Sequence, residues 1–467
     1  MNQMRMSYTN TLKQSNYAII TDSGMQITYT QLRKTIMKLS KKMLPQGVAI
    51  ILCRNTLGCV YSYLACLKSR VVPLLLPERL SKEKLKNFID IYNVKYLCVP
   101  KDINEKENTE KTFLTDVYDY DIYEMEVDRN LPLHKDLMLL LTTSGSMGSI
   151  KCVRISRKNL VSNTKSICTA LQIQNTDRAI TSLPLNYTYG LSVLHTHLYM
   201  GATLLLTDKS VLSPEFWAFF EREKGTSFAG VPFTYEYLCK LGVFHKKYKS
   251  LRVLTQAGGK LSVMLQEYYG RLAEENGFQF FIMYGQTEAT ARMSVLPCDM
   301  ILSRLGSAGL PVPGGRFKIV EGEVVYYGDN VFMGYAEGAS SLSLGDKNRG
   351  ILFTGDLGYI EDGFLYITGR KDRYVKINGV RVLLPELEQW LQERYGYAIF
   401  CIYKYNDLYL VHEEKISEDE WEEISVLLRK RVPVLSDHLK HLLIKQIPKT
   451  STGKTDFSRI EQLIRTR

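Results

Sequence analysis

The chain has 467 residues, 45% of them hydrophobic and 23% charged, with a net charge of +11 at neutral pH. That length is too great for one core and implies two or three domains, and the composition is that of a globular protein, not a disordered or fibrous one. Apolar runs of about six residues fall far short of the roughly 20 that a membrane helix needs, and the scattered basic residues, with Arg429-Lys430-Arg431 as a short solvated helix face, argue against a nucleic-acid surface.

Residues Met1 to Ser7 carry no apolar signal region. The nine cysteines include no C-x-x-C pair, and Cys53, Cys59 and Cys66 stand too far apart for a zinc knuckle. Buried free thiols in the cytoplasm are expected. From Val48 the chain reads as alternating units: strand Val48–Cys53, helix Leu57–Arg70, strand Val71–Leu76, a helix over Ser81–Asn93 with Ser81 as N-cap, and strand Lys95–Val99. Such alternation implies a mostly parallel sheet. Residues 101–130 are charged and aperiodic and read as a surface excursion.

An apolar run, Leu137 to Leu141, then breaks into Thr142, Thr143, Ser144, Gly145, Ser146, Met147, Gly148, Ser149, Ile150 and Lys151. The run suits a buried strand. The loop offers backbone N–H groups, hydroxyls and one cation, and its glycines permit close approach, which together suit a polyphosphate cradle. A Gly/Ser surface turn is the plainer alternative. The Walker spacing is absent, and Lys151 to Ser156 alternates like a second strand where a P-loop would open a helix.

Beyond it, strands are expected at Arg178–Leu183, Ala202–Thr207, Thr226–Ala229, Leu251–Gln256 and Phe278–Met283, with helices such as Pro214–Lys224 and Ser262–Asn276 between them. Polar or glycine-bearing segments follow the strands: Asn186 to Gly190, Gly258-Gly259-Lys260 and Tyr284-Gly285-Gln286-Thr287-Glu288. Open α/β sheets bind ligands off the carboxyl ends of their strands, so these segments are expected to converge. Tyr284 could stack on a base, and Thr287 with Glu288 could hold a phosphate and a divalent cation; a helix start capped by Thr287 is the alternative. After residue 300 short glycine-punctuated β runs suggest a compact antiparallel unit, and from Lys371 a small α+β tail with helices near Pro385–Glu393 and Glu418–Arg431. Thr354-Gly355-Asp356 could meet ribose hydroxyls or form an Asx-turn. Gly369 to Asp372 and Lys376 to Arg381 supply basic groups at a change of composition, and Pro448 to Lys454 ends in a lysine on a glycine-bearing loop.

Taken in order, Thr143 to Lys151, Tyr284 to Glu288, Gly322 through Gly334-Tyr335, Thr354 to Asp356, Gly369 to Asp372 and Pro448 to Lys454 resemble the motifs of adenylate-forming enzymes. That superfamily includes acyl-CoA synthetases, peptide-synthetase adenylation domains and luciferases. The resemblance runs from about Thr28 to Lys454. It implies an α/β fold: an N-terminal domain of two α/β sheets and a β-barrel (1–370), and a small mobile α+β C-terminal domain (371–467). It also implies activation of a carboxylic acid with ATP and Mg²⁺ as acyl-AMP, then transfer to the thiol of coenzyme A or of a phosphopantetheine arm on a separate acyl carrier protein.

By position, the resemblance assigns Thr143, Ser144, Gly145, Ser146, Gly148 and Lys151 to phosphates, and Gly258, Gly259, Lys260, Tyr284, Gly285 and Gln286 to the nucleotide around adenine. Thr287 is assigned to phosphate and Glu288 to Mg²⁺. Asp356 and Arg370 go to ribose, Arg381 to the nucleotide site, Asp372 to the hinge, and Lys454 to catalysis of the first step. Tyr187, Tyr189, Phe228, Val231 and Phe233 would line an apolar and aromatic pocket for a fatty, aryl or other acid. Departures are Met147 for threonine, Ile150 for proline, and Asn186-Tyr187 where amino-acid-activating members carry an aspartate. The first two motivate an alternative, a nucleotide-binding homologue with impaired catalysis.

Overall fold

The computed structural model describes residues 17–103, 111–126, 132–142, 151–378, 380–450 and 455–465. It divides into two compact units: one of residues up to Arg316 with Tyr326–Leu352, the other of Phe317–Val325 with Phe353–Arg467.

Two sheets organise the first unit. In the eight-stranded sheet, Val48–Cys53, Val72–Pro77, Val94–Pro100 and Leu137–Thr142 form a parallel centre. All six residues of Val48–Cys53 are buried, as a strand covered on both faces requires. The joining helices start and stop where the sequence says: Ser81 Oγ accepts from the Lys84 N–H, and Arg70 closes the helix Leu57–Ser69 in the left-handed region. Residues 101–130 depart from expectation. Lys111–Val117 and Tyr120–Met125 pair antiparallel and extend the sheet edge beyond Val94–Pro100. Charges on the exposed face of these edge strands mask the alternation, although Val117, Tyr120, Ile122 and Met125 are buried.

On the other flank, Cys152–Ser156 runs antiparallel to Leu137–Thr142, as the alternation after Lys151 implies, and Gly334–Ala336 adds a further antiparallel strand with Tyr335 opposite Val153. Arg154 pins that edge. Its fully buried guanidinium donates to the carbonyls of Met333, Tyr335, Leu344 and Gly345.

The nine-stranded sheet has the spatial order Leu310–Pro311, Ser294–Leu296, Gln279–Tyr284, Val253–Gln256, Ser227–Gly230, Arg178–Ile180, Thr203–Leu206, Tyr17–Thr21, Gln26–Thr28. Its central strands are parallel and in register, with Gly230 beside Gln256 and Gln256 beside Ile282. The carboxyl ends of three strands therefore deliver Val231, Gly258 and Tyr284 to one edge.

A four-stranded sheet of Arg316–Val320, Glu323–Tyr327, Ile351–Glu361 and Phe364–Arg370, in that order, falls largely in the second unit, where the resemblance implies a barrel. The hairpin Tyr374–Ile377 with Val380–Leu383 follows, then a three-stranded sheet, Ile399–Lys404, Asp407–His412 and Leu439–Leu443, packed on helices Leu384–Tyr395 and Glu418–Arg431 through Leu391, Cys401, Leu410, Ile424 and Leu428. Arg373 is anchored here by a two-pronged pair with Glu388 at 2.8 and 2.9 Å and by the face of Phe457, 4.0 Å from the ring centre. No helix among the described residues is long and apolar enough to cross a membrane.

One buried pair in the first unit makes a test. His195, on helix Thr188–Met200, hydrogen-bonds Tyr63 Oη at 2.7 Å, and burial pushes its pKa from 6.5 to about 3. It stays neutral in the folded chain but takes a proton when unfolded. Its contribution is whole above pH 6.5 and is lost as pH falls toward 3, at no more than about 1.4 kcal/mol per pH unit. Urea unfolding between pH 7 and 5 should show this slope, and His195→Gln, which can keep a bond to Tyr63, should reduce it by about one proton. An unchanged slope would contradict the assignment.

Candidate active site

The turn between strands Gln279–Tyr284 and Ser294–Leu296 sets the geometry. The strands pair antiparallel with Tyr284 opposite Ser294, and the Met293 N–H donates to the Tyr284 carbonyl at 2.9 Å. The residues between them are pinched. A Cβ on Gly285 would lie 1.8 Å from the Ala291 carbonyl oxygen, so only glycine fits. Thr290 and Ala291 both take positive φ, 59° and 144°, which L residues rarely adopt. Side chains hold the strained turn: Thr290 Oγ1 donates to the Asn330 carbonyl at 2.7 Å, and the amides of Asn163 and Asn330 both donate to the Arg292 carbonyl, at 2.8 and 3.0 Å.

The short 3-10 turn Thr287–Ala289 projects from one side of this pinch. Gln286 stands at its N-cap, so the alternative reading, a helix start capped by Thr287, is not what the structure shows. Instead Thr287 Oγ1 accepts from Thr188 Oγ1 at 3.0 Å. Glu288 Oε1 accepts from Tyr335 Oη at 2.9 Å, and the Lys151 ammonium lies over the Tyr335 ring, 3.8 Å from its centre. Four segments distant in sequence thus bring two hydroxyls, a carboxylate, a phenol and a cation together. The meeting of Lys151 with Tyr335 follows from their neighbouring strands, which Arg154 secures.

A Mg²⁺ ion fits this donor set in one way only. Among the described residues no three His, Cys, Asp or Glu side chains cluster to cage a metal. A single carboxylate beside a hydroxyl suits an ion that draws its other ligands from substrate phosphate and water.

A second group forms at the strand ends. Gly258, at φ 88°, leaves so little room that a Cβ would stand 2.4 Å from Tyr187 Oη and 3.1 Å from Val231 Cγ1. Gly259 and exposed Lys260 follow, with the Gly259 carbonyl accepting from Gln256 Nε2 at 2.9 Å. Tyr189 is buried and bonds Thr255. Phe228 stands among Trp217, Phe244 and Tyr235 in an aromatic core, and Phe233 packs on Tyr237. Beneath Tyr189 lies a cavity of about 30 Å³, lined by Phe228, Thr255, Ser192, Met283 and Arg292 among others.

In the second unit, Asp356 and Arg370 are direct cross-strand partners, with Nε 3.5 Å from Oδ1. Gly355 takes φ 70° there, and its N–H donates to Glu323, which also pairs with Lys371 at 2.8 Å. Asp372 lies in the 3-10 turn Lys371–Arg373, and Arg381 in strand Val380–Leu383, opposite Lys376. Thr143, Ser144, Gly145, Ser146, Gly148 and Lys454, with Met147 and Ile150, lie outside the described residues; the flanking strands bring Thr142 opposite Cys152. Sequence reasoning passed over Thr188, Arg154 and Arg292, and quoted Tyr335 only as the end of a glycine motif.

The family model described as AMP-binding enzyme matches residues 9–336, well over half of the chain. The chain belongs to the AMP-binding enzyme family. Among its relatives in that family, the 2-succinylbenzoate–CoA ligase of Bacillus cereus (strain ATCC 14579) is 26% identical over 385 residues, 78% of each chain. The enzyme of the same name from Bacillus subtilis (strain 168) is 24% identical over 455 residues, 92% of this chain and 91% of that one. Among solved AMP-binding folds, the Bacillus subtilis o-succinylbenzoate CoA synthetase (MenE) in complex with its acyl-adenylate intermediate superposes with a TM-score of 0.75 at 22% identity, over 96% of this chain and 95% of that one. The same enzyme with ATP and magnesium gives 0.74 at 22% identity, over 94% and 95%.

The clash at Gly258 yields a structural test. Gly258→Ala should destabilise the protein by about 1–3 kcal/mol through strain at positive φ and contact with Tyr187. Tyr187→Phe removes the obstructing oxygen and should restore part of that loss, read as a coupling energy in urea unfolding of the double-mutant cycle. Strict additivity would contradict the contact.

Proposed function

We propose that this AMP-binding enzyme is an ATP-dependent, AMP-forming acid–CoA ligase. A carboxylate oxygen attacks the α-phosphorus of ATP and pyrophosphate leaves, giving an acyl-AMP; a thiol then takes the acyl group and AMP leaves. The observation that carries the reading is the assembly of Lys151, Glu288 and Thr287, which the resemblance assigns to phosphate and metal, around Tyr335 within one unit. Two anions must meet in the first step, so preorganised positive charge is the main requirement.

In this reading Thr143, Ser144, Gly145, Ser146, Gly148 and Lys151 cradle phosphates, and Thr287 bonds one of their oxygens. Glu288 would hold Mg²⁺, which neutralises phosphate charge when bound. Gly258, Gly259, Lys260, Tyr284, Gly285 and Gln286 border the base, and Asp356, Arg370 and Arg381 serve the rest of the nucleotide. Tyr187, Tyr189, Phe228, Val231 and Phe233 border the acid. Coenzyme A is favoured over a carrier protein because the relatives are coenzyme A ligases by name, and those relatives make an aromatic keto acid the first candidate substrate. Cytoplasmic placement is supported by nine unpaired thiols, seven of them buried.

We assign Lys454 to the first step and Asp372 to the joint about which 371–467 turns between steps. The fixed seat of Arg373 on Glu388 and Phe457 supports a joint no later than Asp372. Acid-dependent ATP–pyrophosphate exchange followed by thioester formation tests the function, and no exchange with any acid would overturn it. Glu288→Gln should lower Mg²⁺-dependent exchange about 100-fold. Lys454→Ala should lower adenylate formation by about 100- to 1000-fold while thioester formation from synthetic acyl-AMP is largely kept. Asp372→Pro should do the reverse, since proline fixes φ at the joint. Equal loss of both steps in the Lys454 variant would contradict the division of labour.

A further inference from the structure

Arg292 is a buried cation that the fold leaves without an ionic partner among the described residues. It is 2% exposed, and among the described residues no carboxylate pairs with it. Its Nε has no hydrogen-bond partner, its Nη2 reaches only Ser192 Oγ at 3.5 Å, and its guanidinium carbon lies 4.5 Å from the centre of the Tyr189 ring. Burial lowers its pKa, opposed by the phenols of Tyr189 and Tyr187 and not by a carboxylate. The other charged residues on the cavity wall are differently treated. Asp177 takes donors from Arg252, Thr226 and the Gln174 N–H, so that pair is satisfied within the protein. A buried cation with an orphan donor is strongly unfavourable unless something else completes it.

The backbone shows that Arg292 is held in this position by design of the turn. The two strained residues, Thr290 and Ala291, immediately precede it, and Asn163 accepts from its N–H at 3.2 Å while donating to its carbonyl. The guanidinium borders the same cavity as Tyr189, Thr255 and Met283. That space is about 30 Å³, enough for roughly two waters or one compact polar group rather than a long acyl tail.

We infer that Arg292 is a specificity-determining residue that receives an anionic group at the far end of the acid, so that the preferred substrate is a dicarboxylic acid with one carboxylate activated and the other held beneath Tyr189. The planar fork of arginine matches a carboxylate, and the ligand would supply the counter-charge that the protein withholds. A site built this way rejects an acid lacking the second carboxylate, because the guanidinium is then left buried and unpaired. The inference rests on the ligase reading for which carboxylate reacts, but not for the binding itself.

The test uses matched acids differing by one carboxylate: 2-succinylbenzoate against 3-benzoylpropionate, and adipate against hexanoate. With the full-length protein, ATP and coenzyme A, kcat/KM should favour at least one dicarboxylate over its partner by about 100-fold, and Arg292→Met should collapse that ratio toward one. Ser192→Asp, which places an internal carboxylate beside the guanidinium, should also collapse it, and serves if Arg292→Met does not fold. Calorimetric binding of 2-succinylbenzoate and of adipate, without ATP, gives a second readout. Binding of either to wild type that is lost in the variants, with no turnover of any acid, would uphold the inference and remove the ligase reading. Equal or better use of the monocarboxylates by wild type, or a ratio unchanged by both variants, would overturn it.

Discussion

The structure of the site depends on the contact between Gly285 and the carbonyl of Ala291. No side chain fits between them, and the chain from Thr287 to Arg292 is bent through two positive-φ residues as a consequence. That single pinch sends neighbouring residues in different directions. Thr287 and Glu288 meet Thr188 and Tyr335, whereas Arg292 reaches the cavity under Tyr189. Strained backbone persists only when its surroundings over-determine it. Here the amides of Asn163 and Asn330 and the hydroxyl of Thr290 provide that support.

The same logic applies to the neighbouring sheet edge. Tyr335 reaches Glu288 because its strand lies beside Cys152–Ser156, and that strand is held by a buried arginine whose donors all go to backbone carbonyls. Arg154 and Arg292 are both buried with no paired carboxylate among the described residues, yet they differ in kind. Arg154 has a carbonyl on each of its three nitrogens, so it is structural. Arg292 retains an unmet donor beside a cavity, which is how a binding group differs from a staple.

Much of the fold was legible in the sequence because its signals are local. Val48–Cys53 is a continuous apolar run and a fully buried strand, Ser81 caps its helix, and Glu418–Arg431 begins after Ser417 and ends in three basic residues. Motif order carried the family, since each motif names a strand end and the strand ends converge through parallel register. The hairpin over 111–125 was not legible: an edge pair shows water one face, and its charges hide the period. Arg292 and Tyr335 were not legible either. Arg292 follows an alanine and opens an apolar run, where a charge reads as a strand boundary. Its burial depends on the φ of Thr290 and Ala291 and on asparagines from distant segments, none of which a pattern of residue types encodes.

The dependence of both functions on the one pinch is open to a direct measurement: ATP–pyrophosphate exchange by folded Gly285→Ala protein, with saturating Mg²⁺ and each member of a matched mono- and dicarboxylate pair. A Cβ there displaces the Ala291 carbonyl and with it the residues on either side. A misplacement of about 1 Å should lower exchange by roughly 100-fold and weaken discrimination between the two acids together. Wild-type exchange with wild-type discrimination, in a variant whose unfolding shows it to be native, would contradict the view that this contact organises the site.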